Sequence, residues 1–336
     1  MPKAIVCTPH DARINKHRKD YLTAVHHSMD YPFQSEDGRD ASPMHQQLET
    51  TCKRFNPIKY WQFTNCCTDS LQIAFHILCK PGDTVIVPAY GWRAITNAPQ
   101  FVGLHVIYCD IDDTGNIDLN QLQHLIIEHK PTAVLIVHNF GTIVDISKIA
   151  DICLVNNVSI IEDAAPSFVM NESYKYKLGS YSDIVCFSFD FTKSPGCLGA
   201  GGGLATNSEE LFNKIKTVGS HITSTHGIGT KSYLDTIAAG VLNTDIKLIE
   251  QNNYRQHRVN IATYYINNRF IILADRDKKQ AVIEKFKSQK ILAKSVFDPN
   301  ISILPRANEF TETAIELPCH QFIDINDLDS RIKKIL

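Results

Sequence analysis

The sequence lacks any large excess of charge and any long apolar run. Its 336 residues carry a formal net charge of −2 at neutral pH, so no overall positive field favours nucleic acid or anionic lipid. No apolar run approaches the length of a membrane-spanning helix, and the N-terminus has no signal-peptide core. We therefore expect a cytoplasmic protein with no nucleic-acid and no membrane partner.

Several common catalytic and metal-binding motifs are also missing. The chain contains no H-E-x-x-H and no G-x-S-x-G, which disfavours zinc proteases and α/β-hydrolases. The glycine run between Gly196 and Gly203 has no G-x-G-x-x-G register, and no P-loop signature occurs anywhere. The ten cysteines form no C-x-x-C pair. We interpret them as reduced thiols and expect no metal site.

Short apolar runs rich in β-branched residues alternate with helical patterns from about residue 60 to 206. The runs lie at 84–87, 104–108, 133–137, 158–161 and 183–187. Strands that are apolar throughout are buried on both faces, so the pattern predicts an α/β protein: a three-layer αβα large domain with a mostly parallel sheet.

Three segments follow from this pattern. We expect an N-terminal arm of one or two helices over 1–58, the large domain over 59–245, and a smaller α+β domain over 246–336. Helical patterns also run from about 233 to 268 and from 326 to 336.

Polar residues follow the predicted strands at the edge where an open parallel sheet binds its ligands. Asp163 directly follows an apolar run, where a buried carboxylate needs either a cationic partner or a helix to cap. Lys193 lies in the loop after the next run; a lone lysine there is usually a surface residue, but its pairing with Asp163 favours a site. Thr68 begins a helix whose free N–H groups favour an anion, unless Thr68 or Asp69 simply caps it.

Taken together, these segments resemble the nucleotide-sugar aminotransferases of the DegT/DnrJ/StrS type, which are fold-type I enzymes dependent on pyridoxal 5'-phosphate. Cys67-Thr68-Asp69-Ser70-Leu71 resembles the phosphate turn G-T-x-A-L of that family. The other similar blocks follow in order at 81–98, 137–145, 162–165 and 187–193, with a weaker echo at 316–318.

The resemblance implies an aminotransferase that moves an amino group from an amino acid, with glutamate expected, to a nucleotide-linked keto-6-deoxy sugar. The catalytic residues would be Lys193, which forms a Schiff base with the cofactor and shuttles protons, and Asp163, which keeps the pyridine nitrogen protonated. Trp92 would stack on the ring. The phosphate would be bound by Cys67, Thr68 and Ser188, and by Lys231 of the neighbouring subunit in a homodimer.

The sequence departs from the family pattern at several of these positions. Pro166 stands where Gln or His is usual, and Lys231 stands where an Asn is usual. Cys67 replaces a glycine and tolerates a positive φ less well. These departures leave two alternatives open: another reaction of the same cofactor (elimination, desulfuration or decarboxylation), or a non-catalytic binding member. His138 either contacts the cofactor or is a satisfied histidine at a strand end.

Overall fold

The computed structural model describes residues 10–31, 42–169, 176–219, 229–251, 271–296, 298–300, 303–318 and 325–332. Its helices are α1 (His10–Ser28), α2 (Pro43–Phe55), α3 (Cys67–Leu78), α4 (Ala94–Phe101), α5 (Leu119–His129), α6 (Ser147–Val155), α7 (Glu209–Gly219), α8 (Thr236–Gln251), α9 (Lys279–Ser288), α10 (Pro305–Thr313) and α11 (Ile325–Ile332). Its strands are β1 (Tyr60–Thr64), β2 (Thr84–Pro88), β3 (His105–Cys109), β4 (Ala133–Val137), β5 (Ser159–Asp163), β6 (Ile184–Ser188), β7 (Gly202–Thr206), β8 (Ile271–Leu273), β9 (Lys294–Ser295) and β10 (Ala314–Glu316).

The central sheet has seven strands in the order β1-β7-β6-β5-β4-β2-β3. Strands β2 to β6 run parallel, whereas β7 is antiparallel to both β6 and β1. Alternate side chains of β4 enter different hydrophobic clusters: Val134 and Ile136 pack with α2, α5, α6 and α8, and Leu135 packs with α3, α4 and α7. Helices therefore cover both faces, and the predicted three-layer αβα architecture is confirmed.

The five predicted strands correspond to β2 to β6, with ends that differ by one or two residues. Both helices of the N-terminal arm form, and they pack against α8. The approach of α1 to α8 is close enough that a Cβ at Gly240 would lie 2.0 Å from Ser28 Oγ. Strands β1 and β7 were not predicted.

The C-terminal part contains a separate three-stranded sheet in the order β8-β10-β9. Helix α10 of this part contacts the large sheet at Asp110, which follows β3. Asp110 accepts hydrogen bonds from the N–H groups of Arg306 (3.0 Å) and Ala307 (2.9 Å). These N–H groups belong to the first turn of α10, where the helix dipole favours a carboxylate. The Arg306 guanidinium also lies 2.6 Å from Asp118.

The predicted division at residue 245 falls inside α8, and the domain limits stay a prediction. Residues 252–268 of the predicted long helix, and 333–336 of the terminal one, lie outside the described residues. Among the described helices, none is both long and apolar enough to cross a membrane. A search of the same ranges finds no group of three or more His, Cys, Asp or Glu that could hold a metal ion. The eight described cysteines are free thiols.

Candidate active site

The predicted site residues follow strands that end at the same edge of the central sheet. Asp163 is the last residue of β5 and pairs in register with Val137, the last residue of β4. Ser188 ends β6 and pairs with Gly202, which in turn pairs with Thr64 at the end of β1. Sheet topology therefore brings together the start of α3, the end of β5 and the loop that carries Lys193.

Asp163 is a buried carboxylate with one oxygen engaged. Its Oδ1 accepts a hydrogen bond from the Ala165 N–H (2.9 Å) and faces Cys67 Sγ at 3.9 Å. No hydrogen bond reaches Oδ2 from any residue that the structure describes. The residues after Asp163 form a turn and not an α-helix, so it does not act as a helix N-cap. The engaged oxygen closes the turn, which leaves the other for a ligand.

Burial raises the pKa of Asp163 above its ordinary value, because the ionised form loses contact with water. The Ala165 N–H and the positive charge of Lys193 act in the opposite direction and lower the pKa. The charge of Lys193 thus acts on Asp163 through space, although thirty residues separate them in the sequence. A cation bound beside this carboxylate would stabilise its ionised form further.

The first turn of α3 is not capped by a side-chain hydrogen bond. The N-cap residue is Cys66, whose sulfur lies against the N–H groups of Thr68 and Asp69. Asp69 instead accepts a hydrogen bond from Ser232 Oγ at 2.6 Å. The hydroxyls of Thr68 and Ser188 make no hydrogen bond to any part of the chain that the structure describes. The capping alternative for Thr68 and Asp69 is therefore not what the structure shows.

Cys67 occupies the first position of α3 with an ordinary helical backbone. Its φ is not positive, so the position does not require a glycine and the expected strain is absent. Burial raises the pKa of the Cys67 thiol well above its usual value, and the nearby Asp163 carboxylate adds to this, whereas Lys193 lowers it. The thiol stays protonated and can act as a weak donor to Asp163.

The glycine that this site does require is Gly202, which sequence reasoning did not single out. A Cβ at Gly202 would lie 2.2 Å from the carbonyl carbon of Cys66 and 2.5 Å from the Cys67 nitrogen. No side chain fits between β7 and the start of α3. The missing Cβ lets the start of α3 rest directly against the sheet beside Ser188.

Lys193 is half-buried in a structured loop after β6. Its backbone N–H donates to the Asp190 carbonyl at 2.8 Å, and the Asp190 carboxylate accepts from Thr192 N–H (2.9 Å) and Thr192 Oγ1 (2.6 Å). The Phe189 N–H donates to the Gly201 carbonyl at 2.8 Å. Hydrogen bonds thus fix the backbone around Lys193, and the charge of its amine acts on both Asp163 and Cys67.

His138 is the satisfied histidine that the second interpretation expected. Its Nδ1 accepts the Val144 N–H at 3.1 Å, so Nε2 carries the proton and donates to Glu162 at 2.8 Å. Glu162 is fully buried and also accepts from Tyr176, Gly179 and Ser182. Both ring nitrogens of His138 are engaged within the chain, and the network fixes the strand that carries Asp163.

Trp92 lies four residues beyond β2 at the same sheet edge and is 62% exposed. Asn300 forms two hydrogen bonds with the loop that carries Trp92. Its N–H donates to the Ala89 carbonyl (2.8 Å), and its Nδ2 donates to the Gly91 carbonyl (3.2 Å). The adjacent Arg93 is also exposed. Stacking of Trp92 on a cofactor ring stays a prediction.

Lys231 lies beside the start of α3 in its own chain. Its carbonyl accepts from Asn65 Nδ2 at 3.3 Å, and its Nζ stands 5.7 Å from the centre of the Tyr233 ring. Ser232 binds the Asn65 N–H and the Asp69 carboxylate. This placement next to the start of α3 was not anticipated, and a contact between Lys231 and a second subunit stays a prediction.

Comparison with known proteins agrees with this geometry. Residues 24–270 match the model of the DegT/DnrJ/EryC1/StrS aminotransferase family. The chain belongs to this family. The resemblance seen in the sequence is therefore confirmed, and with it the pyridoxal-phosphate dependence and the fold-type I architecture.

Individual relatives support the same assignment. The chain is 33% identical over 212 residues to the UDP-2-acetamido-2-deoxy-3-oxo-D-glucuronate aminotransferase of Pseudomonas aeruginosa, which covers 61% of the chain and 58% of the relative. It is 24% identical over 327 residues to the UDP-4-amino-4,6-dideoxy-N-acetyl-beta-L-altrosamine transaminase of Campylobacter jejuni, 84% of the chain and 86% of the relative. A DegT DnrJ EryC1 StrS aminotransferase structure from Brucella abortus superposes with a TM-score of 0.85 at 20% identity, with 98% of each chain covered.

The chain spans little more than half the length of the first of these relatives. The structural likeness, at 20% identity, establishes the fold.

The residues present fit pyridoxal phosphate. The Asp163 oxygen without a partner in the described residues suits a protonated ring nitrogen. The N–H groups at the start of α3 and the hydroxyls of Thr68 and Ser188 suit the phosphate. Lys193 offers the amine that can bond to the aldehyde.

Proposed function

We propose that this protein is a pyridoxal-phosphate-dependent aminotransferase that moves an amino group from an amino acid, glutamate, to a nucleotide-linked keto-6-deoxy sugar. The observation that carries the proposal is Asp163, a buried carboxylate with one oxygen that no described residue engages, placed between the start of α3 and the loop of Lys193. Family membership and the names of the relatives support the reaction and the substrate class.

When bound, pyridoxal phosphate supplies an electron sink that makes the carbon bearing the amino group acidic. Lys193 Nζ would anchor the cofactor through its aldehyde carbon. Once the amino group of the donor has taken that place, the released amine would take the proton from the donor carbon and return it to the former aldehyde carbon of the cofactor. Asp163 keeps a proton on the ring nitrogen, since its buried carboxylate is stabilised by a neighbouring positive charge. The start of α3, Thr68 and Ser188 hold the phosphate, and Trp92 covers one face of the ring.

The absorbance spectrum of the purified protein with pyridoxal phosphate tests this proposal. We expect the visible band of cofactor bonded to Lys193, and we expect glutamate to convert it to the near-ultraviolet band of the amine form. Glutarate, which has both carboxylates and no amino group, is the matched control and leaves the spectrum unchanged. A nucleotide-linked keto sugar then restores the visible band.

Two other outcomes contradict the proposal in different ways. A visible band that no amino acid converts to the amine form would favour elimination, desulfuration or decarboxylation over transamination. A folded protein that forms no band at all would be a non-catalytic member of the family. In either case the keto-sugar step fails.

We also propose a cytoplasmic homodimer in which Lys231 reaches the phosphate held by the partner subunit. The eight cysteines that the structure describes are free thiols, which supports a reducing compartment. We expect Lys231→Ala to weaken cofactor binding about tenfold, as for the loss of a charge-assisted hydrogen bond. Lys59→Ala is the matched control, because Lys59 is also exposed and its Nζ stands 5.8 Å from the Tyr60 ring centre.

Mixing two variants distinguishes contact across the dimer from contact within one chain. In mixed dimers of Lys193→Ala and Lys231→Ala, a cross-subunit Lys231 leaves one of the two sites with both lysines intact. Tight cofactor binding and activity then return on mixing. If Lys231 acts on its own chain, beside Asn65 where the structure places it, mixing restores nothing.

A further inference from the structure

Asp245 connects the loop of Lys193 to the N-terminal helix. It lies in α8, is 2% exposed, and uses each carboxylate oxygen for a different partner. Oδ1 accepts the hydroxyl of Tyr21 in α1 at 2.6 Å, and Oδ2 accepts the N–H of Gly196 at 2.9 Å. One buried carboxylate thus binds two segments that are far apart in the sequence.

Gly196 belongs to the loop that carries Lys193 and is buried. The next residue, Cys197, donates its N–H to the Phe189 carbonyl at 2.8 Å and directs its sulfur to the Ala238 carbonyl of α8 at 3.8 Å. The part of the loop that follows Lys193 is therefore fastened to α8 at two adjacent residues. The Asp190 turn fixes the part that precedes it.

Tyr21 contributes through its hydroxyl and is 3% exposed. The close contact of α1 with α8 at Gly240 leaves little freedom for either helix to shift. A buried carboxylate is costly unless donors surround it, so the Tyr21 hydroxyl offsets part of that cost and orients the carboxylate toward Gly196.

We propose that Asp245, oriented by Tyr21, is a positioning residue that fixes the position of the Lys193 loop relative to the cofactor site. The inference rests on the proposed role of Lys193 as the cofactor anchor. Neither Asp245 nor Tyr21 is assigned contact with the cofactor or substrate; they act through the backbone at Gly196. Loss of the hydroxyl removes a contact that orients the carboxylate toward Gly196, and the loop then samples positions that are unproductive for proton transfer.

The same helix supplies a matched control. Asn243, two residues earlier and 4% exposed, accepts the hydroxyl of Thr51 in α2 at 2.7 Å. Tyr21→Phe and Thr51→Val each remove one hydroxyl that donates to a buried side chain of α8. The described contacts of Asn243 do not extend to the loop of Lys193. A general loosening of α8 would therefore appear in both variants, whereas a specific effect on the loop would appear only in Tyr21→Phe.

Hydrogen–deuterium exchange of the cofactor-free protein tests the connection directly. We expect the peptide spanning 189–199 to exchange about tenfold faster in Tyr21→Phe and in Asp245→Asn, as for the loss of a charge-assisted hydrogen bond. Thr51→Val should leave this peptide unchanged. Equal exchange in Tyr21→Phe and Thr51→Val, or no change in Tyr21→Phe, would overturn the proposed connection.

The cofactor-loaded enzyme gives the second measurement. In Tyr21→Phe we expect the visible band of lysine-bound cofactor to form about tenfold more slowly and kcat to fall by a similar factor, with KM for the amino donor unchanged. Exchange could rise in Tyr21→Phe while band formation and kcat match those of the parent. In that case Asp245 holds the loop, but the position of the loop does not affect the reaction, and the positioning role is wrong. If the parent protein forms no band, the proposed function fails, whereas the exchange experiment still reports on Asp245.

Discussion

Replacing Lys193 by alanine is expected to lower the rate of transamination by about 10⁴-fold or more, because one amine both anchors the cofactor and moves the proton. The fold should persist, since the hydrogen bonds that shape the loop use the backbone N–H of Lys193 and the side chains of Asp190 and Thr192. Circular dichroism and thermal unfolding of the cofactor-free protein check the fold, and single-turnover conversion of glutamate checks the rate.

One further variant and a chemical rescue separate the roles of the amine from those of its charge. Lys193→Arg retains a positive charge near Asp163 but cannot form the covalent bond, so it should be as inactive as the alanine variant. Added methylamine should restore part of the proton transfer in Lys193→Ala only. The control is Lys214→Ala, an exposed lysine of α7 paired with Glu210. Full activity in Lys193→Ala would refute the assignment of the anchor.

The parallel strands could be predicted because they are rich in β-branched apolar residues, and the inner strands, such as β4, are buried on both faces. Strand β7 could not, because it begins with Gly202 and Gly203, residues that weaken a strand on their own. Its position depends on tertiary contacts: pairing with β1 and β6, and the absence of a Cβ opposite Cys66. These contacts join residues too distant in sequence for local patterns to reveal.

The site shows the same contrast: the order of residues along the chain predicts some neighbours, whereas contacts between distant residues cannot be predicted from it. Asp163 and Lys193 could be paired because they follow consecutive predicted strands, and the carboxyl ends of parallel strands share an edge. The bonds that support them link residues far apart: 49 positions separate Gly196 from Asp245, and 224 separate Tyr21 from Asp245. No spacing rule connects such residues, although Asp245 is a charged residue among the buried residues of α8.

Replacing Asp163 by asparagine is expected to lower kcat by about 100-fold or more, because an amide does not keep the ring nitrogen protonated. Asparagine preserves the size of the side chain and the oxygen that accepts the Ala165 N–H, so the turn after β5 should remain intact. The change isolates the negative charge. Single-turnover rates with glutamate measure its effect, and a variant with parental rates would contradict the proposed role.

The same substitution should have opposite effects on the stability of the cofactor-free and the loaded protein. Burial raises the pKa of Asp163 in the folded state above its ordinary value of 3.8. The Asp163 carboxyl group therefore binds its proton more tightly in the folded protein than in the unfolded chain. The stability that the folded protein has below pH 3.8 is lost in part as the pH rises to the raised pKa, because the buried carboxyl group must then ionise. Asparagine has no such loss, so at neutral pH the cofactor-free Asp163→Asn protein should melt at or above the temperature of the parent.

Cofactor binding should reverse that order, because a carboxylate beside a protonated ring is stabilised only when the ring is present. The matched control is Asp183→Asn: burial also raises the pKa of Asp183, which accepts the Ile160 N–H at 2.8 Å at the far end of β6. Pyridoxal phosphate should raise the melting temperature of the parent and of Asp183→Asn alike, and that of Asp163→Asn far less. If pyridoxal phosphate stabilised all three proteins equally, the protonated ring nitrogen would not lie beside Asp163. The buried charge of Asp163 would then have no functional explanation.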